Sequence, residues 1–314
     1  MALSVEVSDA AAAPARGRPA QPSRALVVAA FAAVYLIWGS TYLGIRIAIE
    51  TIPPFFMASA RFLMAGALLY GWAVTHGPER PTRAHWRAAA IVGALLLVGG
   101  NGSVVWAEQR VPSGIAALLA ATVPLWMVLL DWWRPGGTRP HWMVFVGIAF
   151  GLGGLALLVE PSSFVSGHAT DPLGAAVLLI GSLLWAMGSI YSRHAALPSS
   201  PILMTGIEML AGGVLLAGTG LLFGESHRFV LHAVSLRSEI ALLYLIVFGA
   251  LIGFTAYLWL LRVASPAHVS TYAYVNPVVA VILGWALAGE PLSARTLLAA
   301  GVIVAAVMVV GLKR

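Results

Sequence analysis

Apolar residues in this chain come in long runs broken by short clusters of Pro, Gly, Arg and acidic residues. Several runs reach about 20 residues without a charge, the length that crosses a hydrocarbon core roughly 30 Å thick. Strands alternate or stop after a few residues, so runs of this length predict helices. Read against their breakers, they predict ten, over about 26–46, 55–75, 87–107, 112–131, 141–159, 172–191, 201–223, 239–260, 266–288 and 294–312. The longest connection, 224–238, is too short for a soluble domain, so function must reside in the helices. Residues 1–24, rich in Ala and Pro, read as a disordered cytosolic tail. The basic region of a signal peptide is missing there, and the run that follows is long enough to span rather than be cleaved.

Composition removes the soluble alternative. Of 314 residues, 60% are hydrophobic and 10% charged, where globular chains average roughly 45–50% and about 25%. Mean hydropathy is +0.90. The expected fold class is therefore all-α integral membrane protein. A formal charge of +6 could suggest nucleic acid, but the basic residues are single arginines between apolar runs plus Lys313, which is an orientation signal.

That signal is one-sided. With the N-terminus inside, the cytoplasmic connections carry Arg16, Arg18, Arg24, Arg80, Arg83, Arg87, Arg134, Arg139, Arg193, Arg262, Lys313 and Arg314. The outer ones carry Arg46, Arg110, Arg228, Arg237 and Arg295. Twelve against five, with Arg61 inside a span, accounts for all 18. The expectation is a multi-pass protein of a bacterial inner membrane with both termini cytoplasmic.

The halves are related. A shift of 147 residues places Trp38 on Trp185 and Arg61 on Glu208, and a shift of 153 places Thr122-Val123-Pro124 on Val275-Asn276-Pro277. Five helices per half make the second half enter from the opposite side, an inverted repeat of the kind found in secondary transporters.

Two ionisable groups lie well inside the spans. Arg61 is about six residues, or 9 Å, below the outer surface, and Glu208 is a similar distance above the inner one. Their depths differ by roughly 10 Å in a core of this thickness, so they read as two sites. Arg61 can bind a substrate carboxylate, anchor the outer half through Glu108 or backbone carbonyls, or snorkel. Glu208 can couple protons or pair with Arg193 or Arg262. Pro124 and Pro277 each remove a bond to residue i−4 and are expected kinks at matching positions. The remaining candidates for a cavity are Trp38, Ser40, Thr41, Tyr42, Asn101, Trp106, Trp126, Trp185, Tyr257, Tyr272, Tyr274 and Asn276, since aromatic faces hold apolar or cationic solutes. Gly147 and Gly151 on the fifth helix and Gly301 and Gly311 on the tenth mark scaffolding.

The chain has no Cys, which removes disulfides and Cys-based metal or cluster sites. It has no H-E-x-x-H, no G-x-S-x-G and no ATPase phosphate loop. No cofactor, no metal and no enzyme activity are expected.

Trp38-Gly39-Ser40-Thr41-Tyr42, Pro53-Pro54-Phe55 and Arg61-Phe62-Leu63 resemble the opening of an EamA domain of the drug/metabolite transporter superfamily. Val111-Pro112-Ser113-Gly114 with Thr122-Val123-Pro124, and Asn276-Pro277 with Gly284-Trp285 and Gly289-Glu290-Pro291, are similar to later segments of that family. Asn101-Gly102 before Ala107-Glu108-Gln109 resembles the YedA-like exporter branch. The resemblance implies two inverted five-helix EamA repeats at 25–160 and 172–314, joined by an outer loop at 161–171. It also implies a secondary active exporter of small metabolites or drugs, amino acid-like or amphipathic, working by alternating access. Two departures stand out: Glu208 where the repeat partner is Arg61, and no second copy of Gly39-Ser40-Thr41. A channel or a structural assembly factor is the alternative. The expected partners are a small-molecule substrate and the lipid bilayer, with no nucleic acid and with a homodimer left open.

Overall fold

The computed structural model describes residues 23–133, 139, 141–158, 171–264, 266–289 and 292–311. Most of the expected tail and outer loop lie outside the described residues. The helices are α1 (Arg24–Ala48), α2 (Pro54–His76), α3 (Arg83–Ala107), α4 (Ser113–Trp133), α5 (Trp142–Leu158), α6 (Pro172–His194), α7 (Pro201–Leu222), α8 (Leu236–Val263), α9 (Tyr272–Ala288) and α10 (Ala294–Gly311). No strand occurs among the described residues. Among the described residues, seven helices, α1 to α4 and α6 to α8, are long and apolar enough to cross a membrane; α5 and α9 have 17 residues each and α10 has 18.

Capping explains where several helices start. Pro54, Pro172 and Pro201 open α2, α6 and α7 at the position where a missing N–H costs nothing. Thr82 and His85 form a reciprocal capping box at α3, and Ser235 caps α8. Both helices begin a few residues before the apolar windows, because capped ends continue through charged residues such as Arg83 and Arg237 into the membrane interface.

Lipid removes most of the hydrophobic gain from helix association, so close packing and polar contacts must hold the bundle together. The tightest example is the antiparallel pair α2 and α7. A Cβ on Gly66 would fall 2.9 Å from the Leu210 nitrogen, and one on Gly206 would fall 2.8 Å from the Tyr70 nitrogen. Only glycine allows these backbones to approach so closely. Ser59 adds a hydrogen bond to the Gly213 carbonyl at 2.9 Å. Two carboxylates close the ends of the pair. Glu225, just after α7, accepts from the Phe55 and Phe56 N–H groups at 3.0 and 2.8 Å, at the start of α2. Glu79, just after α2, accepts from Ser199 N–H and Ser200 N–H, both at 2.9 Å, at the start of α7. Each helix is thus capped by an acid that follows its partner, a two-fold pattern that reading the sequence missed. Around the bundle, Leu36, Met64, Leu68, Ile180, Val214 and Ile282 are exposed, as lipid-facing positions should be.

Two irregularities carry the fold's second symmetry. Gly93–Asn101 in α3 and Leu245–Phe254 in α8 are wound as π-helix. Their starts differ by 152 residues and their ends by 153, close to the repeat shift. The proline expectation changes in detail. In α4 the helix is interrupted at Ala121 and Thr122, and Pro124 sits in the first turn of the segment Val123–Trp133. Its absent N–H is therefore tolerated at a restart, so it does not kink a continuous helix. Pro277 does lie inside a helix, and the preceding turn Pro266–Val269 is separated from α9 at Ser270 and Thr271. The helices α5 and α10 pack chiefly on each other, beside the central bundle.

Candidate functional site

The two halves meet around a cavity of about 80 Å³. Helix α1 contributes Trp38, Thr41 and Tyr42, α2 contributes Arg61, and α3 contributes Asn101; the second half adds Ser182 and Trp185 from α6, Phe254 from α8, and Tyr272 and Asn276 from α9. Asn101 and Phe254 are the last residues of the two π-helical stretches. Such stretches are rare and concentrate at functional sites.

The wall is aromatic and tightly interlocked. Trp38 and Trp185 meet edge to face at 5.5 Å between ring centroids, and Trp38 meets Tyr272 at 5.3 Å and 90°. The Trp38 indole N–H donates to the Gly249 carbonyl at 3.1 Å. This carbonyl lies in the π-helical part of α8, so the second half holds the first half's tryptophan in place. Behind the wall Tyr257, fully buried, accepts from the Trp185 indole at 3.0 Å and shares a hydrogen bond with Ser189 at 2.6 Å. Asn276, with its amide oriented to satisfy its neighbours, donates to the carbonyls of Tyr35 and Tyr272 at 2.8 and 3.2 Å. It thereby ties α1 to the first turn of α9, where Pro277 leaves a carbonyl without its usual partner.

Arg61 is 3% exposed. Its Cζ lies 4.8 Å from the centroid of Phe62, and neither Nε nor Nη1 has a hydrogen-bond partner. Among the described residues it makes no ion pair with a carboxylate. The anchoring expected through Glu108 goes instead to Arg46, whose guanidinium donates to the Glu108 carbonyl. The Asn101 side-chain oxygen is likewise buried without a partner.

Some expected positions fall elsewhere. Ser40 bonds to Tyr244 and the Ile37 carbonyl and lines a separate apolar recess between α1 and α8. One residue along a helix turns a side chain by about 100°, which separates it from its neighbour Thr41. Trp106 lies under the Arg110 guanidinium, 4.6 Å from ring centroid to Cζ, and Trp126 packs with Val123, Met127 and Ala186. Tyr257 stands behind the cavity wall and does not line it. Tyr274 is on α9, with its side chain outside the described residues. Ser182 and Phe254, which line the cavity, were missed, although a polar residue three positions before Trp185 was a usable signal.

Glu208 is fully buried in α7, with neither carboxylate oxygen hydrogen-bonded in standard geometry. The pairing expected with Arg193 or Arg262 is not formed as an ion pair. Arg193 donates to the Ala264 carbonyl at 3.0 Å, and Arg262 donates to the carbonyls of Ser199 and Pro198. Through the contacts of α2 with α7, Gly66 faces Gly206 and Leu210. Glu208 therefore sits beside residue 66 or 67, about 7.5 to 9 Å along the axis from Arg61 at 1.5 Å per residue. Away from the cavity, at the ends of α1, α3 and α8, a wider recess of about 520 Å³ is lined by Arg46, Glu50, Gln109, Arg110 and Arg237.

Comparison with known proteins fits this architecture. Residues 25–160 and 172–312 both match the EamA-like transporter family, and the chain belongs to it. It is 46% identical over 282 residues to the inner membrane transporter YedA of Escherichia coli K12, covering 89% of each chain. A WAT1-related chloroplastic protein of Arabidopsis thaliana is 26% identical over 280 residues, covering 88% of this chain and 67% of that one. A solved crystal structure 22% identical in sequence shares the fold with a TM-score of 0.66, over 92% of this chain and 99% of that one.

Proposed function

We propose that this membrane transporter is a secondary active exporter of small metabolites or drugs, amino acid-like or amphipathic, that works by alternating access. In this reading all ten helices span a bacterial inner membrane, the repeats at 25–160 and 172–314 are inverted, and both termini are cytoplasmic. The observation that carries it is the cavity at the centre of the two repeats, lined by α1 to α4 from one and by α6, α8 and α9 from the other. A site formed by both halves is exposed to one side or the other when one half rocks against the other. At about 80 Å³ the cavity holds two or three waters, well below the roughly 300–1,000 Å³ of ordinary ligand pockets. A solute therefore enters only when the halves move apart, and the π-helical segments at the cavity supply backbone that can rewind. No ATPase motif is present, so the energy comes from an ion gradient or from exchange.

The test is counterflow in sealed proteoliposomes loaded with amino acids, sugars or lipophilic cations. A carrier gives saturable flux that is accelerated by substrate on the opposite side. Flux linear in concentration, without counterflow, would identify a channel.

A further inference from the structure

The aromatic wall by itself would suit a lipophilic cation, because Trp faces attract positive charge. Arg61 reverses that choice. It lies 3% exposed on the same cavity, with Nε and Nη1 unpartnered and no carboxylate in ion-pair contact among the described residues. A second cation here would meet an uncompensated positive charge in surroundings of low dielectric. An anion would supply the partner that the protein omits.

We infer that the central cavity takes a small amphipathic carboxylate, with its acid group on Arg61 and its apolar part against Trp38, Trp185 and Tyr272. This deepens the transport reading and rests on the cavity being the solute's site. A carboxylate fits better than a phosphate. Among the described residues Arg61 is the one Lys or Arg lining the cavity, and a doubly charged phosphate would bring more charge than a single guanidinium neutralises. The planar fork of Arg suits the two oxygens of a carboxylate.

An unpaired buried charge destabilises the protein that carries it, so a binding role and a structural role have opposite signatures. If Arg61 holds the fold together, Arg61→Gln lowers the unfolding midpoint of the empty protein. If it waits for an anion, the same change leaves that midpoint unchanged or raised and removes only the response to ligand.

The experiment measures thermal unfolding of the purified full-length protein in detergent at constant ionic strength. The probes are 3-phenylpropionate, phenylalanine and phenethylamine, which share a ring and differ in charged groups. The two acids should raise the midpoint and the amine should not. Arg61→Gln should weaken the acid response at least tenfold in half-saturating concentration without lowering the empty midpoint, and Arg61→Lys should retain part of the response. Protection by phenethylamine equal to that by the acids, no protection by either acid, or an unchanged acid response in Arg61→Gln overturns the inference. So does a lower midpoint of the empty Arg61→Gln protein. Binding in detergent does not require transport. Saturable flux of the amine, indifferent to Arg61, would leave the carrier reading standing while this inference falls, and acid binding without flux would do the reverse.

Discussion

Trp38 and Trp185 occupy equivalent positions in the two repeats and touch each other, edge to face at 5.5 Å. Equivalent residues of two related halves can meet only near the axis that relates them. Their contact therefore marks the centre of the bundle and lies in the cavity wall. Aromatic pairs of this kind contribute about 0.5–1.5 kcal/mol beyond burial. A double-mutant cycle with Trp38→Leu and Trp185→Leu, read by thermal unfolding in detergent, should give a coupling of about 1 kcal/mol. Strict additivity would mean that the two rings are held independently by Gly249 and Tyr257.

The Trp185 ring also depends on a bare backbone opposite. A Cβ on Gly100 would fall 2.5 Å from Cε3 of Trp185, so Gly100→Ala must push the indole into a cavity that has little spare room. Transport should fall at least tenfold while the amount of protein in the membrane stays the same. Wild-type flux in Gly100→Ala would show that the ring can move aside without consequence for the path.

Orientation can be read with single cysteines, because the chain has none of its own. Arg80 and Ser226 are both exposed, at opposite ends of the α2–α7 pair. From the twelve-to-five distribution of basic residues, Arg80→Cys should react with an impermeant maleimide only from the cytoplasm, and Ser226→Cys only from outside. The reversed pattern would invert the assigned topology.

Most helix positions were legible because an apolar run of about 20 residues matches a membrane thickness; α3 and α8 start earlier where Thr82 and Ser235 cap them, and α9 starts at Tyr272 instead of 266 because the chain turns at Ser270 and Thr271. The family was legible in the motifs around Trp38 and Asn276. The π-helical segments were not, since an extra residue per turn leaves no mark in a run where nearly every position is apolar. The reciprocal caps of Glu79 and Glu225 were also out of reach, because each acts on a helix more than a hundred residues away. Within the candidate site, Trp38, Thr41, Tyr42, Asn101, Trp185, Tyr272 and Asn276 line one cavity. Ser40, Trp106, Trp126 and Tyr257 do not, because composition cannot tell which way an aromatic helix is rotated.

The cap on α7 gives a pH dependence with a definite sign. Burial pushes the Glu79 carboxyl up, but the Ser200 and Ser199 N–H groups, the Ser199 hydroxyl and nearby His85 outweigh it and hold the group below its ordinary value. A depressed folded value means that the stabilisation is complete above the unfolded value of about 4.3 and is lost as pH falls through the lower folded one. Glu79→Gln should therefore cost a constant amount from about pH 6 upward, on the order of 1 kcal/mol, as for other lost caps. The gap between wild type and variant should close below about pH 4. Unfolding midpoints of both proteins across that range provide the check, and a gap that grows on acidification would contradict the assigned role of the carboxylate.

Glu208 is the buried acid that we propose for energy coupling. It has no hydrogen bond in standard geometry, and the nearby Arg262 spends its guanidinium on the Pro198 and Ser199 carbonyls. A carboxyl left in this way inside a bundle can take up a proton in one access state and release it in another, provided that the rocking halves change its exposure. Glu208→Gln keeps the shape and removes the titration. It should abolish accumulation driven by a pH gradient while sparing exchange at equal concentrations on both sides, because exchange needs the moving parts but no net proton transfer. If Glu208 instead balances Arg262 across a short gap, the Gln variant should lose protein from the membrane, since removing one buried charge leaves the other uncompensated. Gradient-driven uptake identical to wild type in a stable Gln variant would end the coupling role.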